Sequence, residues 1–159
     1  PRDPKVQGWM HDGSDSIGLR QICIEAVAAA PTPEHAQAIL EALKYVSDPY
    51  VNTPPGARPP ASWDCSKLTA WAWNKAAPYL NLTAYTYTQI SEMNRIPASQ
   101  ARPGDLVFFF EGSAHHVGMV LSDTWMVEAG NASVGVIVSD WTSGWSAIHF
   151  TAAATPRLK

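Results

Sequence analysis

The chain has 159 residues, 46% of them hydrophobic, and a formal net charge of −3. This length and composition suit one globular domain with a real core. The 11 lysine and arginine residues are scattered, so we expect no nucleic-acid partner and no attachment to a membrane surface. No segment reaches the roughly 18 consecutive apolar residues of a membrane span.

The chain begins at Pro1 without a methionine and shows no basic-then-apolar leader. We therefore expect it to be a fragment of a larger protein, whose signal or targeting segment lies outside this sequence. We expect the fragment to be a monomer.

The first predicted helix spans about residues 16–30. Its apolar residues recur with helical spacing from Leu19 to Ala30, and Cys23 lies on that stripe, which predicts a small core residue. Cys65 has polar neighbours and no such stripe. We expect no disulfide between the two cysteines, and two thiols without a Cys-x-x-Cys motif are too few for a structural zinc site.

The segment Thr32-Pro33-Glu34 is typical of a helix start, with an N-cap, a proline in the first turn and an early acid. The buried stripe predicted for this second helix is Ala36, Ile39, Leu40, Leu43 and Val46. We assign residues 1–47 to an N-terminal helical part and residues 48–159 to the core that carries the candidate chemistry, both within a single domain.

Five prolines and a glycine in residues 48–60 predict a loop, and a helix is predicted from about Cys65 to Ala77, where Pro78 ends it. A thiol in the first turn of a helix faces unpaired N–H groups and the positive end of the helix dipole, and both favour the thiolate. Cys65 is therefore the candidate nucleophile, and Asp64 is expected to cap the helix.

Strand-like segments follow Asp105, after a short helix predicted around Thr86 to Met93. They are Leu106–Phe110, His115–Leu121, Trp125–Ala129, Val134–Ser139 and Ala147–Thr151. Their short connections leave no room for crossover helices, so we expect an antiparallel meander of about five strands. The predicted fold class is α+β, with N-terminal helices packed on a C-terminal sheet.

Two adjacent histidines, His115 and His116, are expected on opposite faces of the sheet, because successive side chains of a strand alternate between its faces. Gly118 shares the face of His116, and its missing side chain is expected to let the Cys65 helix pack closely. We therefore interpret His116 as the candidate base and His115 as a solvent-facing residue. Ordinary surface or core-edge positions are expected for the other histidines, His11, His35 and His149.

A histidine base works best when a third group holds its other ring nitrogen. If residues 122–124 form a three-residue hairpin connection, Leu121 pairs with Trp125. Glu128 then falls on the face of His116, one diagonal step and roughly 7 Å away, which two long side chains can bridge. A two-residue turn would instead reverse the faces and remove Glu128 from the site.

Three motifs carry a resemblance to a known family: Trp63-Asp64-Cys65-Ser66, the run Arg102-Pro103-Gly104-Asp105-Leu106-Val107-Phe108-Phe109, and His116-Val117-Gly118-Met119. In order and spacing they resemble the NlpC-type cell-wall cysteine peptidases over about residues 48–138. The resemblance implies a pared-down, papain-like α+β core. It also implies that Cys65 is the nucleophile, His116 the base and Glu128 the residue that orients the base.

The chain departs from the family pattern at three places. Many members carry histidine where Glu128 stands, although a carboxylate would also stabilise an imidazolium. The family's Tyr-x-x-Gly-Gly is represented only by Tyr50 and its proline-rich surroundings, and its Asp-Cys-Ser-Gly ends here in Lys67. By the resemblance, Tyr50, Asp64 and Ser66 are the candidates to support the substrate or the oxyanion.

The resemblance implies a cysteine endopeptidase that cuts peptidoglycan stem peptides between D-glutamate and a diamino acid, with no metal or organic cofactor. Such a domain acts outside the cytoplasm at the bacterial cell wall, in a secreted remodelling enzyme, a phage lysin or tail component, or a toxin. Two alternatives stay open. A CHAP-like amidase would cut between muramic acid and L-alanine with a similar Cys-His pair, and a catalytically silent module would bind the wall without cutting it.

Overall fold

The computed structural model describes residues 13–112 and 114–159. These ranges contain five α-helices: α1 Gly13–Ala29, α2 Pro33–Leu43, α3 Cys65–Ala76, α4 Thr86–Ser91 and α5 Gly144–His149. They also contain six strands: β1 Asn94–Ile96, β2 Leu106–Glu111, β3 Ala114–Val120, β4 Trp125–Ala129, β5 Val136–Asp140 and β6 Phe150–Thr155. Four of the five helices precede the main strands. Helices α3 and α4 pack on the sheet, while α1 packs on α2 and α2 packs on α3, so the predicted α+β class is confirmed.

The six strands of the described ranges form one sheet in the order β1-β6-β2-β3-β4-β5, and every neighbouring pair is antiparallel. The antiparallel sheet is therefore confirmed. The meander holds only for β2 to β5, because β6 returns across the sheet to pair with β2 while β1 adds to its outer edge. The three residues of β1 are too few to show a strand period in the sequence.

The strand predicted over Ala147–Thr151 is wrong in its first half. Residues Gly144–His149 form α5, and the strand itself begins at Phe150. Three consecutive alanines in β6, Ala152–Ala154, are at most 9% exposed. Alanine has low strand propensity, but its small side chain suits a strand that is closely packed on both faces, so tertiary packing decides this element.

The second helix begins as predicted, because the Thr32 hydroxyl accepts a hydrogen bond from the backbone N–H of His35. Its inner face differs from the predicted stripe, since Leu40 is 46% exposed whereas His35 is 3% exposed. The interpretation of His35 as a surface or core-edge residue is therefore wrong. The His35 Nε2 atom lies 2.9 Å from Asp105 Oδ1, and this buried contact with the turn before β2 sets the inward face of α2.

The first helix packs on the core less completely than its stripe predicts. Ala26 is 1% exposed, but Cys23 is only partly buried, so the prediction of Cys23 as a core residue is wrong in degree. Burial still raises the pKa of the Cys23 thiol, which makes it less reactive at neutral pH. Within the described residues neither cysteine forms a disulfide. No helix in these ranges has the length and apolar character needed to span a bilayer.

The core has two parts, one on each face of the sheet. The main part lies between the helices and the sheet and includes Leu68 of α3, Phe108 of β2 and Met119 of β3. A smaller cluster on the other face includes Val107 and Phe109. Because β2 is buried on both faces, its sequence is continuously apolar rather than alternating. The packing of α3 against this sheet places the first residue of the helix next to β3.

Candidate active site

The candidate nucleophile is the first residue of α3, as predicted. Asp64 caps the helix, since its Oδ1 accepts a hydrogen bond of 2.9 Å from the backbone N–H of Lys67. The Ser66 hydroxyl donates to the same oxygen at 3.3 Å, so both flanking side chains stabilise the helix start. The Cys65 side chain is 6% exposed and lies at the positive end of the helix dipole.

The candidate base, His116, lies on β3 between two polar neighbours. Its Nε2 atom is 2.5 Å from Glu128 Oε1 on β4, and its ring also lies close enough to the Cys65 side chain to interact with it. Only 12% of the His116 side chain and 11% of the Glu128 side chain are exposed. The three predicted residues are therefore brought together in a sheltered cluster, where salt screens their charges much less than at the surface.

The charges of this cluster support one another. Burial alone disfavours the charged imidazolium, but the Glu128 carboxylate and the contact with Cys65 outweigh it and raise the pKa of His116 from 6.5 to about 10. Burial also opposes the charged form of Glu128, yet the His116 ring and the Ser139 hydroxyl outweigh it and lower the pKa of that carboxyl. An imidazolium–carboxylate pair therefore exists across the neutral range.

The contact between His116 and Glu128 depends on strand register. Met119 pairs with Val127 and Val120 with Met126, which is the register that a three-residue connection predicts. Glu128 therefore lies diagonally from His116 on the same face of the sheet.

The predicted role of Gly118 is wrong, because the Cys65 helix does not occupy the space at this glycine. A Cβ atom at Gly118 would collide with the sulfur of Met126 on the neighbouring strand. Gly118 therefore makes room for a side chain of the sheet itself. The placement of His116 beside Cys65 follows instead from the packing of the α3 N-terminus near this strand.

A fourth residue, Ser139 on β5, completes the hydrogen bonding of the acid and was missed in the sequence. Its hydroxyl donates to Glu128 Oε2, the oxygen that His116 leaves available. Ser139 is 5% exposed and ends an otherwise apolar run of β5. Glu128 pairs with Ile137, so Ser139 lies one diagonal step along the same face. A polar residue buried in that run was the available signal.

A cavity of about 480 Å³ adjoins the base and the acid rather than the thiol. Its lining includes Tyr50, His115, His116, Glu128, Asn131 and Trp145. The Trp145 ring of α5 lies 6.3 Å from the His116 ring, and its Nε1 donates to Glu111 at 3.0 Å, so a partly exposed aromatic wall is held beside the histidine. A larger cavity of about 700 Å³ runs along α3 and the proline-rich loop, away from these groups.

The proline-rich loop before α3 is attached to the site at both ends. Tyr50 lines the cavity and forms a parallel bridge with Trp63. Burial and the nearby negative groups of Cys65 and Asp64 raise the pKa of Tyr50 to about 12, so its hydroxyl keeps a proton that it can donate. Lys67, which stands where the family has glycine, donates to the carbonyl of Ala57 at 2.9 Å and fastens the loop to the helix.

The remaining histidines occupy different surroundings. His115 is not solvent-facing as predicted, because its ring packs against Tyr85 at 5.4 Å and Tyr87 at 4.7 Å and its Nδ1 is buried without a partner. His149 packs on Trp145 at 4.8 Å, and its Nε2 lies 3.5 Å from Glu111 Oε1. His11 lies outside the described residues.

The described residues contain no group of three or more His, Cys, Asp and Glu side chains arranged to hold a metal ion. The chemistry that this arrangement supports is nucleophilic attack by sulfur. A thiol at a helix N-terminus, a buried imidazolium and a carboxylate that orients it are the parts of a Cys-His hydrolytic site.

Comparison with known proteins places this geometry in a family. The profile of the NlpC/P60 family matches residues 49–155. The chain is similar to the probable endopeptidase p60 of Listeria grayi, with 38% identity over 97 residues that make up 60% of this chain and 18% of that protein. It is also similar to the bifunctional muramidase/DL-endopeptidase CwlT of Bacillus subtilis, with 36% identity over 69% of this chain and 32% of that protein. The chain thus spans less than a third of either relative.

Solved structures agree with the sequence matches. The NlpC/p60 domain of the peptidoglycan hydrolase SagA superposes with a TM-score of 0.65 at 28% identity, over 76% of this chain and 97% of that domain. A Staphylococcus aureus protein of the NLP/P60 family superposes with a TM-score of 0.67 at 28% identity, over 79% of this chain and 42% of the other. This chain therefore shares its fold, an antiparallel sheet with packed helices, with these two structures.

Proposed function

Because this chain belongs to the NlpC/P60 family of cysteine peptidases, we propose that it is a peptidoglycan hydrolase that cuts stem peptides between D-glutamate and a diamino acid. The observation that carries the proposal is the buried contact of His116 with both Cys65 and Glu128. A relative named a DL-endopeptidase and a similar domain from a peptidoglycan hydrolase support the substrate and the bond.

In the proposed reaction the Cys65 thiolate attacks the carbonyl carbon of the scissile amide. The first-turn N–H of α3 and the Tyr50 hydroxyl are suited to stabilise the resulting oxyanion. His116 then gives its proton to the leaving amine as the C–N bond breaks, and an acyl thioester remains on Cys65. The neutral imidazole then deprotonates a water molecule that attacks the thioester. This step releases the carboxylic acid product and restores the Cys65 thiolate and the His116 imidazolium.

Glu128 has an orienting role in this proposal. Its carboxylate holds Nε2 of His116, which leaves Nδ1 for the sulfur, and Ser139 in turn holds the carboxylate. The negative charge of Glu128 keeps the His116 ring protonated at neutral pH, so the sulfur faces a positive charge before the substrate arrives. The family's usual histidine at this place would orient the ring but would carry no compensating negative charge.

The decisive experiment is digestion of purified sacculi followed by mass spectrometry of the soluble muropeptides. The proposal expects free peptides that begin at the diamino acid, and glycan strands whose stems retain only L-alanine–D-glutamate and which a muramidase then cuts to disaccharide dipeptides for analysis. Release of whole stem peptides from the glycan would identify an amidase instead. Binding to sacculi without soluble fragments, together with no iodoacetamide labelling of Cys65 at neutral pH, would identify a silent wall-binding module.

Two variants control this digestion. Cys65→Ala is expected to abolish release while the chain stays folded, because the change removes only one buried sulfur atom and should cost no more than about 2 kcal/mol. Cys23→Ala is expected to stay active and to lose at most about 1 kcal/mol of stability, since its side chain is only partly buried. Equal loss of activity in both folded variants would contradict the assignment of the nucleophile.

The proposed place of action is the bacterial cell wall, outside the cytoplasm, and the proposed partner is the stem peptide of peptidoglycan. We also propose that the domain works as a monomer and that residues 1–47 and 48–159 form a single unit. Sedimentation of the purified chain, together with the digestion assay, tests whether the domain works as a monomer. A stable dimer that is required for release would contradict it.

A further inference from the structure

A second hydrogen-bonding group lies beside the thiol, on a helix that the proposed triad does not include. Thr86 is the first residue of α4, and its Oγ1 atom is 3.9 Å from Cys65 Sγ. The Thr86 side chain is 0% exposed. Buried hydroxyl groups in folded proteins are nearly always hydrogen-bonded, and here the sulfur supplies the partner.

The protonation state of the sulfur decides the direction of this bond. A thiolate has no proton to give, so it accepts and the hydroxyl of Thr86 donates. The proposed resting thiolate would then lie between two donors, the imidazolium of His116 and the hydroxyl of Thr86. Hydrogen bonds to a charged acceptor are roughly twice as strong as those between neutral groups.

The position of Thr86 is set by buried contacts rather than by a surface loop. Gln89, one turn further along α4, is 0% exposed. Its Nε2 donates to the carbonyls of Ser66 at 3.2 Å and Thr83 at 2.9 Å, and its Oε1 accepts from the Thr69 hydroxyl at 2.6 Å. These bonds fasten α4 to the first turns of α3, so the sulfur and the Thr86 hydroxyl belong to one rigid arrangement.

We propose that Thr86 is a positioning residue of the nucleophile, whose hydroxyl donates a hydrogen bond to the Cys65 thiolate. The bond favours the thiolate over the thiol and holds the sulfur in one rotamer beside His116. The inference rests on the proposed function, because that function makes Cys65 the nucleophile. It adds a group that acts through Cys65 and that neither the charge pattern nor the three motifs of the sequence indicate.

The test compares two substitutions that separate the hydroxyl from the methyl group. Thr86→Val keeps the shape and removes the hydroxyl, whereas Thr86→Ser keeps the hydroxyl and removes the methyl. In the full chain carrying Cys23→Ala, so that Cys65 is the sole thiol, the rate of iodoacetamide alkylation is measured against pH by intact mass. Thr86→Val is expected to shift the pH midpoint of alkylation upward by about one unit, and Thr86→Ser is expected to follow the wild type.

Cleavage kinetics on a purified muropeptide give a second readout. Thr86→Val is expected to lower kcat roughly 10-fold with KM unchanged, since the hydroxyl acts on the sulfur and not on the substrate. Thermal unfolding of each variant checks the fold, and Thr86→Ala, which also lacks the hydroxyl, takes the place of Thr86→Val if the valine is not accommodated. An unchanged pH midpoint in the folded hydroxyl-free variant would overturn the proposal. So would a loss in Thr86→Ser as large as that in Thr86→Val, because packing of the methyl group would then be the cause.

The alkylation experiment needs no peptidoglycan, so it separates this inference from the proposed function. A chain that shows the expected pH shift but releases no muropeptides would contradict the proposed function and support the role of Thr86. A chain that digests sacculi with the same alkylation midpoint in wild type and Thr86→Val would contradict the role of Thr86 and support the function.

Discussion

At the scale of single residues, the site depends on three side chains from three different elements. Cys65 begins a helix, while His116 and Glu128 lie on adjacent strands. Their contact places two opposite charges in a region where 12% or less of either side chain is exposed. Removing one charged partner there leaves the other without compensation, so substitutions at these positions should have larger effects than at exposed ion pairs.

The two adjacent histidines give the first prediction. We expect His116→Ala to abolish muropeptide release and His115→Ala to keep most of it, because only His116 contacts both Cys65 and Glu128. Cleavage assays on the two purified variants, after circular dichroism has shown that both are folded, provide the measurement. If His115→Ala is the inactive variant, the base is His115, which packs against Tyr85 and Tyr87, and not the histidine beside Glu128.

The second prediction concerns the charge of Glu128. The pKa of His116 is raised to about 10, so its proton is retained through neutral pH and is lost as the pH rises through about 10. The stability that the pair contributes is therefore complete below pH 6.5 and disappears towards pH 10. Glu128→Gln keeps the shape and removes the charge, so the His116 ring should lose its proton at a lower pH. Turnover should fall roughly 10-fold or more.

The measurement for Glu128 is an NMR titration of the His116 ring, compared with the pH dependence of Cys65 alkylation. Ser139→Ala is the matched control, because it removes a hydrogen bond from the carboxylate but keeps the negative charge beside His116. Glu128→His, which restores the residue common in the family, should recover part of the turnover. If the His116 ring titrates in Glu128→Gln as it does in the wild type and the turnover is unchanged, another residue orients His116.

At the scale of elements, the turn before β2 joins the N-terminal helices to the sheet. Asp105 accepts from His35 of α2, and the carbonyl of Gly104 accepts from the indole N–H of Trp73 in α3 at 3.0 Å. Gly104 has a φ of +97°, and a Cβ atom there would lie 2.8 Å from the His35 ring, so both backbone and space require glycine. This turn therefore fixes α2 and α3 against the same strand.

The third prediction concerns the buried contact between His35 and Asp105. His35 and Asp105 are 3% and 2% exposed, so His35→Ala leaves a buried carboxylate with one partner fewer. We expect a loss of about 3 kcal/mol in the free energy of unfolding, measured by urea denaturation. His149→Ala, which removes a partly exposed histidine that contacts Trp145 and Glu111, is the control and should cost less than about 1 kcal/mol. Equal losses in the two variants would show that the buried pair is not a stabilising connection.

At the scale of the whole molecule, the N-terminal helices and the site share one core. Ala26 of α1 and Ile39 of α2 belong to the same buried cluster as Cys65 and Phe108. A chain cut after residue 47 would expose this cluster to water. Domain boundaries normally fall where few contacts cross, which is not the case here.

The fourth prediction follows from that shared core. The full chain should unfold in one cooperative transition, with the same midpoint by tryptophan fluorescence and by far-ultraviolet circular dichroism. Residues 48–159 expressed alone should show no sharp transition. A cooperative transition in the 48–159 fragment would instead indicate that the helices form a separate unit.

The sequence by itself determined the features that depend on short stretches of chain. The Asp64 cap and the start of α3 at Cys65 follow from local helix chemistry. The faces of His116 and Glu128 follow from the strand period and the length of one hairpin connection. Each of these features involves residues less than about twenty positions apart, so their geometry is restricted by the backbone alone.

The tertiary structure decided the features that join distant segments. His35 is 70 positions from Asp105, and Thr86 is 21 positions from Cys65. No local pattern marks these side chains, because a buried polar group is stabilised by the partner that the fold brings to it. The alanine strand β6 was decided in the same way, by packing against neighbours on both faces rather than by its own propensity.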